Sequence, residues 1–167
     1  SFSSSNTING GGGGSNGVLV TFNSGSNLST QNTSGITGSV SVSTGNRGSN
    51  SYSTSANYTF NASADQTMSG LPATINNFTI SGSGTKTLTA NTTVNGTLTV
   101  NAPATLAMST FTLYSPTSIV LDGGASVASS ITGTGLLTLG GGVTVNNANT
   151  GNNGATISCP IALTNAT

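Results

Sequence analysis

Charge is nearly missing from this 167-residue chain. Arg47, Lys86, Asp65 and Asp122 are its only charged side chains, Glu and His are absent, and the formal net charge is zero. A surface with so little field neither steers charged partners nor neutralises phosphates, so no nucleic-acid partner is expected. The single cysteine, Cys159, has no internal partner for a disulfide. With no His or Glu to activate it, it reads as a small buried hydrophobe. No apolar run exceeds a handful of residues, so neither a signal peptide nor insertion into a membrane is expected. Metal ligation and general acid-base work lack their usual side chains, and no cofactor is expected.

What is present is small and polar. Ser, Thr, Asn and Gly together supply about three-fifths of the residues, and only 33% are hydrophobic, a composition that in an unpatterned chain means disorder. The apolar residues are patterned, however. They occur in apolar-polar-apolar triplets bounded by Asn-Gly, Pro or Ser, which is the signature of very short strands joined by tight turns. Eight such triplets follow one another: Val18 to Val20, Val40 to Val42, Tyr58 to Phe60, Phe78 to Ile80, Leu98 to Val100, Ile119 to Leu121, Leu137 to Leu139 and Ile157 to Cys159. Their first residues are 22, 18, 20, 20, 21, 18 and 20 apart, a period of about 20 that signals a solenoid.

Two further series run between these triplets. One passes through Leu28, Met68, Leu88, Leu106 to Met108, Val127, Val143 to Val145 and Ile161 to Leu163; the other passes through Ile36, Leu71 to Ile75, Val94, Phe111 to Leu113 and Ile131. Three short strands per coil imply a triangular cross-section. Side chains alternate along a strand, so the outer residues of each triplet face inward and the middle one faces out. The expected fold is therefore all-β: a right-handed parallel β-solenoid (β-helix) of about eight coils, each about 20 residues long. At about 4.8 Å per coil the rod would be on the order of 40 Å long. Its expected core stack is Val18, Val20, Val40, Val42, Tyr58, Phe60, Phe78, Ile80, Leu98, Val100, Ile119, Leu121, Leu137, Leu139, Ile157 and Cys159.

Residues 1–16 include five consecutive glycines and read as a flexible lead-in or a loosely ordered first coil; residues 17–167 form the solenoid segment. The stretch Ser43 to Asn57 reads as a projecting loop, in which Arg47 and Tyr52 are the candidate surface-contact residues. Asn95-Gly96 is expected to supply the positive φ of a tight corner. No amphipathic capping helix is written at either end, so the terminal coils expose strand edges. The lack of an initiator Met and an ending partway round a coil lead to the expectation of a piece of a longer polypeptide. Neighbouring coils of that chain, or copies of itself, are the expected partners, with surface glycans or other cell-surface proteins beyond them.

The run from Tyr52 to Val100 carries a resemblance. Tyr58-Thr59-Phe60-Asn61 with Gln66-Thr67, then Gly70-Leu71-Pro72-Ala73-Thr74-Ile75-Asn76-Asn77-Phe78-Thr79-Ile80, then Leu88 and Thr93-Val94-Asn95-Gly96-Thr97-Leu98-Thr99-Val100 resemble a repeat of very large cell-surface and secreted proteins of Bacteroidota, of the kind exported by type IX secretion. The resemblance covers about a third of the chain closely. It implies extracellular display and a role in adhesion, gliding motility or surface-filament formation, and it carries over no catalytic residue.

Three rivals to a plain adhesive rod follow from the fold. Right-handed β-helices also host polysaccharide lyases and glycoside hydrolases, but the only carboxylates, Asp65 and Asp122, are expected roughly 14 Å apart along the axis, beyond the about 5 to 10 Å that a hydrolytic pair needs. No enzyme is expected. An ice-binding β-solenoid would need paired Thr columns, whereas the outward column Leu19, Ser41, Thr59, Thr79, Thr99, Val120, Thr138 and Ser158 is single and its neighbour Thr89, Ala107, Ala128, Thr144 and Ala162 is mixed. A self-assembling extracellular filament subunit would use the open edges.

Overall fold

The computed structural model describes residues 2–4, 8–10, 19–42, 49–115, 117–124, 126–146 and 154–164, those in 2–4, 8–10 and 41–42 by their backbone alone. The elements in its first third are β1 (Phe2–Ser4), β2 (Ile8–Gly10), β3 (Thr21–Phe22), β4 (Asn27–Thr30), α1 (Gly35–Ser39), β5 (Val40–Val42), β6 (Ser51–Tyr52) and β7 (Asn57–Phe60). Then come β8 (Gln66–Thr67), β9 (Thr74–Ile75), β10 (Phe78–Ile80), β11 (Thr85–Thr87), β12 (Thr92–Val94), β13 (Thr97–Val100) and β14 (Thr105–Ala107). The last are β15 (Leu113–Ser115), β16 (Ser118–Asp122), β17 (Ser130–Thr132), β18 (Leu137–Leu139), β19 (Gly142–Asn146), β20 (Thr156–Ser158) and β21 (Ile161–Leu163).

The chain is an all-β parallel solenoid. The first face is a seven-stranded sheet, β1-β4-β7-β10-β13-β16-β19; the second is β20-β17-β14-β11-β8 and the third is β21-β18-β15-β12-β9. Two small sheets, β2-β5 and β3-β6, belong to the broader amino-terminal part. Every pairing is parallel and joins strands one turn apart, never strands adjacent in sequence.

Turn length is uneven. Along the first face Phe2, Leu28, Tyr58, Phe78, Leu98, Ile119 and Val143 lie in register, at steps of 26, 30, 20, 20, 21 and 24 residues. The average is about 24 rather than the expected 20, and all three faces stack together over about four turns. Seven first-face strands take the place of the eight triplets read from the sequence.

Inside, Leu28, Tyr58, Phe78, Leu98 and Ile119 fill one column of the first face, with Thr30, Phe60, Ile80, Val100 and Leu121 in the next, and all ten side chains are buried. Phe60 and Phe78 meet edge to face with ring centres 6.1 Å apart, the favoured aromatic geometry. Leu106 and Ile131 fill the second face, and Leu113 and Leu137 the third, closing one contiguous core.

Seven described members of the expected stack belong elsewhere. Leu137 and Leu139 sit on the third face above Leu113 and Ser115; Ile157 lies on the second face above Ile131, with half-buried Cys159 two residues on. Val40 and Val42 belong to β5, which pairs with β2, and the first-face strand of that turn is β4 instead. Val20 packs half-buried against the core just before β3, while Val18 lies outside the described residues. The cause of the later shift is the corner between β16 and β17. It runs through seven residues, 123–129, where the two corners before it use four each (81–84 and 101–104). Everything after Asp122 is thereby displaced from a fixed period, and Val143 and Val145 take the first-face positions.

Two local expectations also change. Gly96 has no positive φ; a side chain there would meet the Asn77 and Asn76 amide oxygens, which would have to shift to admit it. Positive φ is used at Gly82 (+77°) and Gly84 (+75°), which turn the corner into β11 against the backbone of Ala62 and Ala64. The one helix among the described residues, α1, lies in the long 30-residue turn and buries Ile36, whose backbone amide donates to the Ser69 carbonyl at 2.9 Å. Of residues 1–16, expected to be a lead-in or first coil, β1 and β2 are described as strands paired to β4 and β5.

Candidate functional site

Polar side chains recur at the corners with the period of the coils, and their partners show what they do. A backbone amide at the start of a strand accepts no help from the ladder where the chain is turning, so a side-chain oxygen from the coil below takes its hydrogen. Asn57 Oδ1 accepts from the amide of Asn77 (3.1 Å), Asp65 Oδ1 from Thr85 (2.8 Å), Asn77 Oδ1 from Thr97 (2.9 Å) and Asn91 Oδ1 from Thr112 (2.9 Å). The amide groups of Asn27, Asn57 and Asn76 also link to one another, at 2.9 Å each.

This assigns Asp65 to a corner clamp. Asp122 is in a local turn, accepting from the amide of Gly124 at 3.1 Å. The two carboxylates belong to turns three register steps apart on the first face, about 14 Å along the axis. Among the described residues no group of three or more His, Cys, Asp or Glu comes together, and no helix is long and apolar enough to cross a membrane.

The most unusual group is Lys86. It lies on the inward side of β11, in register between Gln66 and Leu106, and is fully buried. Its ammonium donates to the carbonyls of Ala62 (3.0 Å), Ala64 (3.0 Å) and Ser83 (2.5 Å), tying the corner of one coil to that of the next. Gln66 does the same one turn earlier: Nε2 donates to the carbonyls of Thr30 (3.0 Å) and Asn32 (2.8 Å), and Oε1 accepts from the amide of Ala62 (3.3 Å). Burial pulls Lys86 below the usual lysine range, and the charge of Asp65 opposes that shift. Sequence reasoning missed this pair because an isolated Lys and Gln in strands of alternating pattern read as outward residues. The available signal was their position, in line with Leu106.

Of the two candidate surface residues, Arg47 lies outside the described residues. Tyr52 is in strand β6 rather than in a projecting loop. Its ring stacks on Phe22 with centres 5.5 Å apart and planes within 9°, half-buried against the core. Burial raises its phenol, and a hydrogen bond with the Asn50 side chain opposes that. It reads as packing. Burial likewise raises the Cys159 thiol, away from nucleophilic use.

The outward surfaces also differ from the columns read in the sequence. On the first face the middle column is Ser29, Thr59, Thr79, Thr99, Val120 and Thr144. The second face carries two adjoining columns: Thr85, Thr105, Ser130 and Thr156 in one, Thr67, Thr87, Ala107, Thr132 and Ser158 in the other. Within the first of these, the hydroxyls of Thr105 and Ser130 are 2.8 Å apart. The pairing was hidden because Gln66-Thr67 and Ser130-Ile131-Thr132 do not look like members of one series.

Comparison with protein-family models, with curated proteins and with solved structures finds no match to this chain.

Proposed function

We propose that this chain is a non-catalytic extracellular rod, a segment of a large bacterial surface adhesin or surface filament. The observation that carries the reading is how the polar groups are used: Asp65, Asp122, Lys86, Gln66 and the corner asparagines are engaged in joining coils or closing turns. What remains outside among the described residues is uncharged and mostly small hydroxyl and amide groups over a continuous apolar column, suited to holding a shape in water. The Bacteroidota-like run from Tyr52 to Val100 supports cell-surface display by type IX secretion, with adhesion or gliding as its use. The right-handed sense of the coil belongs to the same reading, since parallel strands joined by same-sense crossovers take that hand.

The test is made on the source cells. Surface protease shaving and labelling of intact cells with an antibody to this segment should remove and detect it, and the intact native polypeptide should be far heavier than 16.2 kDa. A product found only inside the cell overturns the reading.

A second reading, ice binding, is favoured by the paired Thr/Ser columns of the second face. It predicts thermal hysteresis or inhibited ice recrystallisation by the purified chain, abolished by Thr87→Tyr and Thr132→Tyr; ordinary freezing behaviour eliminates it.

A further inference from the structure

An asparagine followed by glycine leaves its side-chain amide open to attack by the next backbone nitrogen, because glycine has no Cβ to shield that nitrogen. The chain has four such pairs, at Asn9, Asn16, Asn95 and Asn153, and Asn95 is the one whose side chain lies among the described residues. It is unlike the other corner asparagines. Asn57, Asn77 and Asn91 hold amides of the next coil through their Oδ1 atoms and are followed by Tyr58, Phe78 and Thr92. Asn95 is exposed, and its side chain has no hydrogen-bond partner among the described residues. Its backbone carbonyl accepts the Thr117 hydroxyl of the coil above at 2.7 Å, a contact that stabilises negative charge on the Asn95-Gly96 peptide once that peptide loses its proton. The coil below holds the proton in place: the Gly96 amide donates to the Asn76 carbonyl at 3.0 Å, and the Asn95 amide to the Ile75 carbonyl at 2.9 Å.

We propose that Asn95 is a site of spontaneous covalent modification, deamidation, gated by the hydrogen bond from Gly96 to Asn76. When the corner opens, hydroxide takes the Gly96 amide proton and the nitrogen attacks Asn95 Cγ. The new C–N bond closes a cyclic imide, the Cγ–Nδ2 bond breaks, and Nδ2 leaves as ammonia with a proton from water. Water then opens the imide at either carbonyl, to aspartate or to isoaspartate. Both products give a negative charge to a chain whose formal net charge is zero. Isoaspartate also adds a methylene to the main chain between the two amides that join this corner to Ile75 and Asn76, so the two bonds cannot both re-form in register. The loss of ammonia is one-way, and each modified molecule therefore records that its corner has opened.

Peptide mapping by mass spectrometry, with enzymatic methyl labelling of isoaspartate, tests this on the full 167-residue chain kept at mildly alkaline pH, folded or in urea. Asn95 should convert under both conditions, and at least about tenfold more slowly in the folded chain, where only the open fraction reacts. Asn77→Ala removes the clamp on the adjoining Thr97 amide and should speed the folded reaction while leaving the rate in urea unchanged. Thr117→Val, at an exposed position, should slow the folded reaction alone, and it keeps the test open if circular dichroism shows that Asn77→Ala unfolds. Equal rates folded and in urea would remove the gate. An Asn95 that stays intact in the folded chain would remove the site, and a folded rate indifferent to both substitutions would separate the reaction from this corner; each result overturns the proposal.

Discussion

Lys86 ties the corners of two successive coils together. An ammonium out of water is costly unless its protons are all taken up, and here three carbonyls from two corners accept them. Lys86→Met keeps the volume and leaves those carbonyls without a donor, so it should cost about 2–5 kcal/mol in urea unfolding. Lys86→Gln should lose less, since Gln66 shows an amide serving the equivalent corner; equal losses would mean that a neutral amide cannot replace the ammonium at this corner. Ser129 presents the opposite case. Its buried hydroxyl finds no partner among the described residues, so Ser129→Ala should be neutral or stabilising by about 1 kcal/mol. Tyr58 gives the chain a pH response. Burial, and to a lesser degree the charge of Tyr52, push its phenol from 10.0 up to about 12. Between those values the folded state holds a proton that the unfolded state has lost, so stability falls as pH rises from 10 toward 12, by up to about 1.4 kcal/mol per unit. Tyr58→Phe should remove that part of the alkaline loss in melts taken across this range. The lowered Lys86 acts with the opposite sign, adding stability as pH rises toward 10.5, so its upper end overlaps the start of the Tyr58 window.

At the level of elements, register is the informative quantity. Leu137 is buried on the third face and Val143 is open on the first. Leu137→Ala should therefore cost about 2–5 kcal/mol and Val143→Ala under about 1, read from denaturant midpoints; equal costs would place both in the core. The alternation of triplets made the strands, their parallel pairing and the column from Tyr58 to Ile119 legible in the sequence, because a half-buried strand must write its inner face at every second residue. Corner length was not legible. Corner residues such as 123–129 write no alternating pattern to count, and three extra ones reassign every later strand without altering its appearance. The helix escaped for a related reason: Gly35 to Ser39 has one apolar residue, Ile36, too few to show a period of 3.6. The corner clamps were half legible, since Asn and Asp recur on schedule, but which amide each one serves depends on the coil above.

For the molecule as a whole, coils are nearly interchangeable units, each resting only on its neighbours. Deleting residues 78–97, one 20-residue period in which Phe78 gives way to Leu98, preserves every register above and below. Such a chain should keep its β-rich circular dichroism and cooperative melt while shortening by about 5 Å in small-angle scattering. Deleting 78–87 instead joins unlike faces and should abolish the transition. Pairing only between strands a full turn apart has a last consequence, for delivery. A chain emerging amino terminus first finds beneath each new strand an edge already finished, so order can advance along it coil by coil without waiting for the rest. Each finished coil is three-sided and wider than an extended thread. If the chain passes through a pore that admits only the thread, every coil completed outside blocks return, and folding itself rectifies the passage.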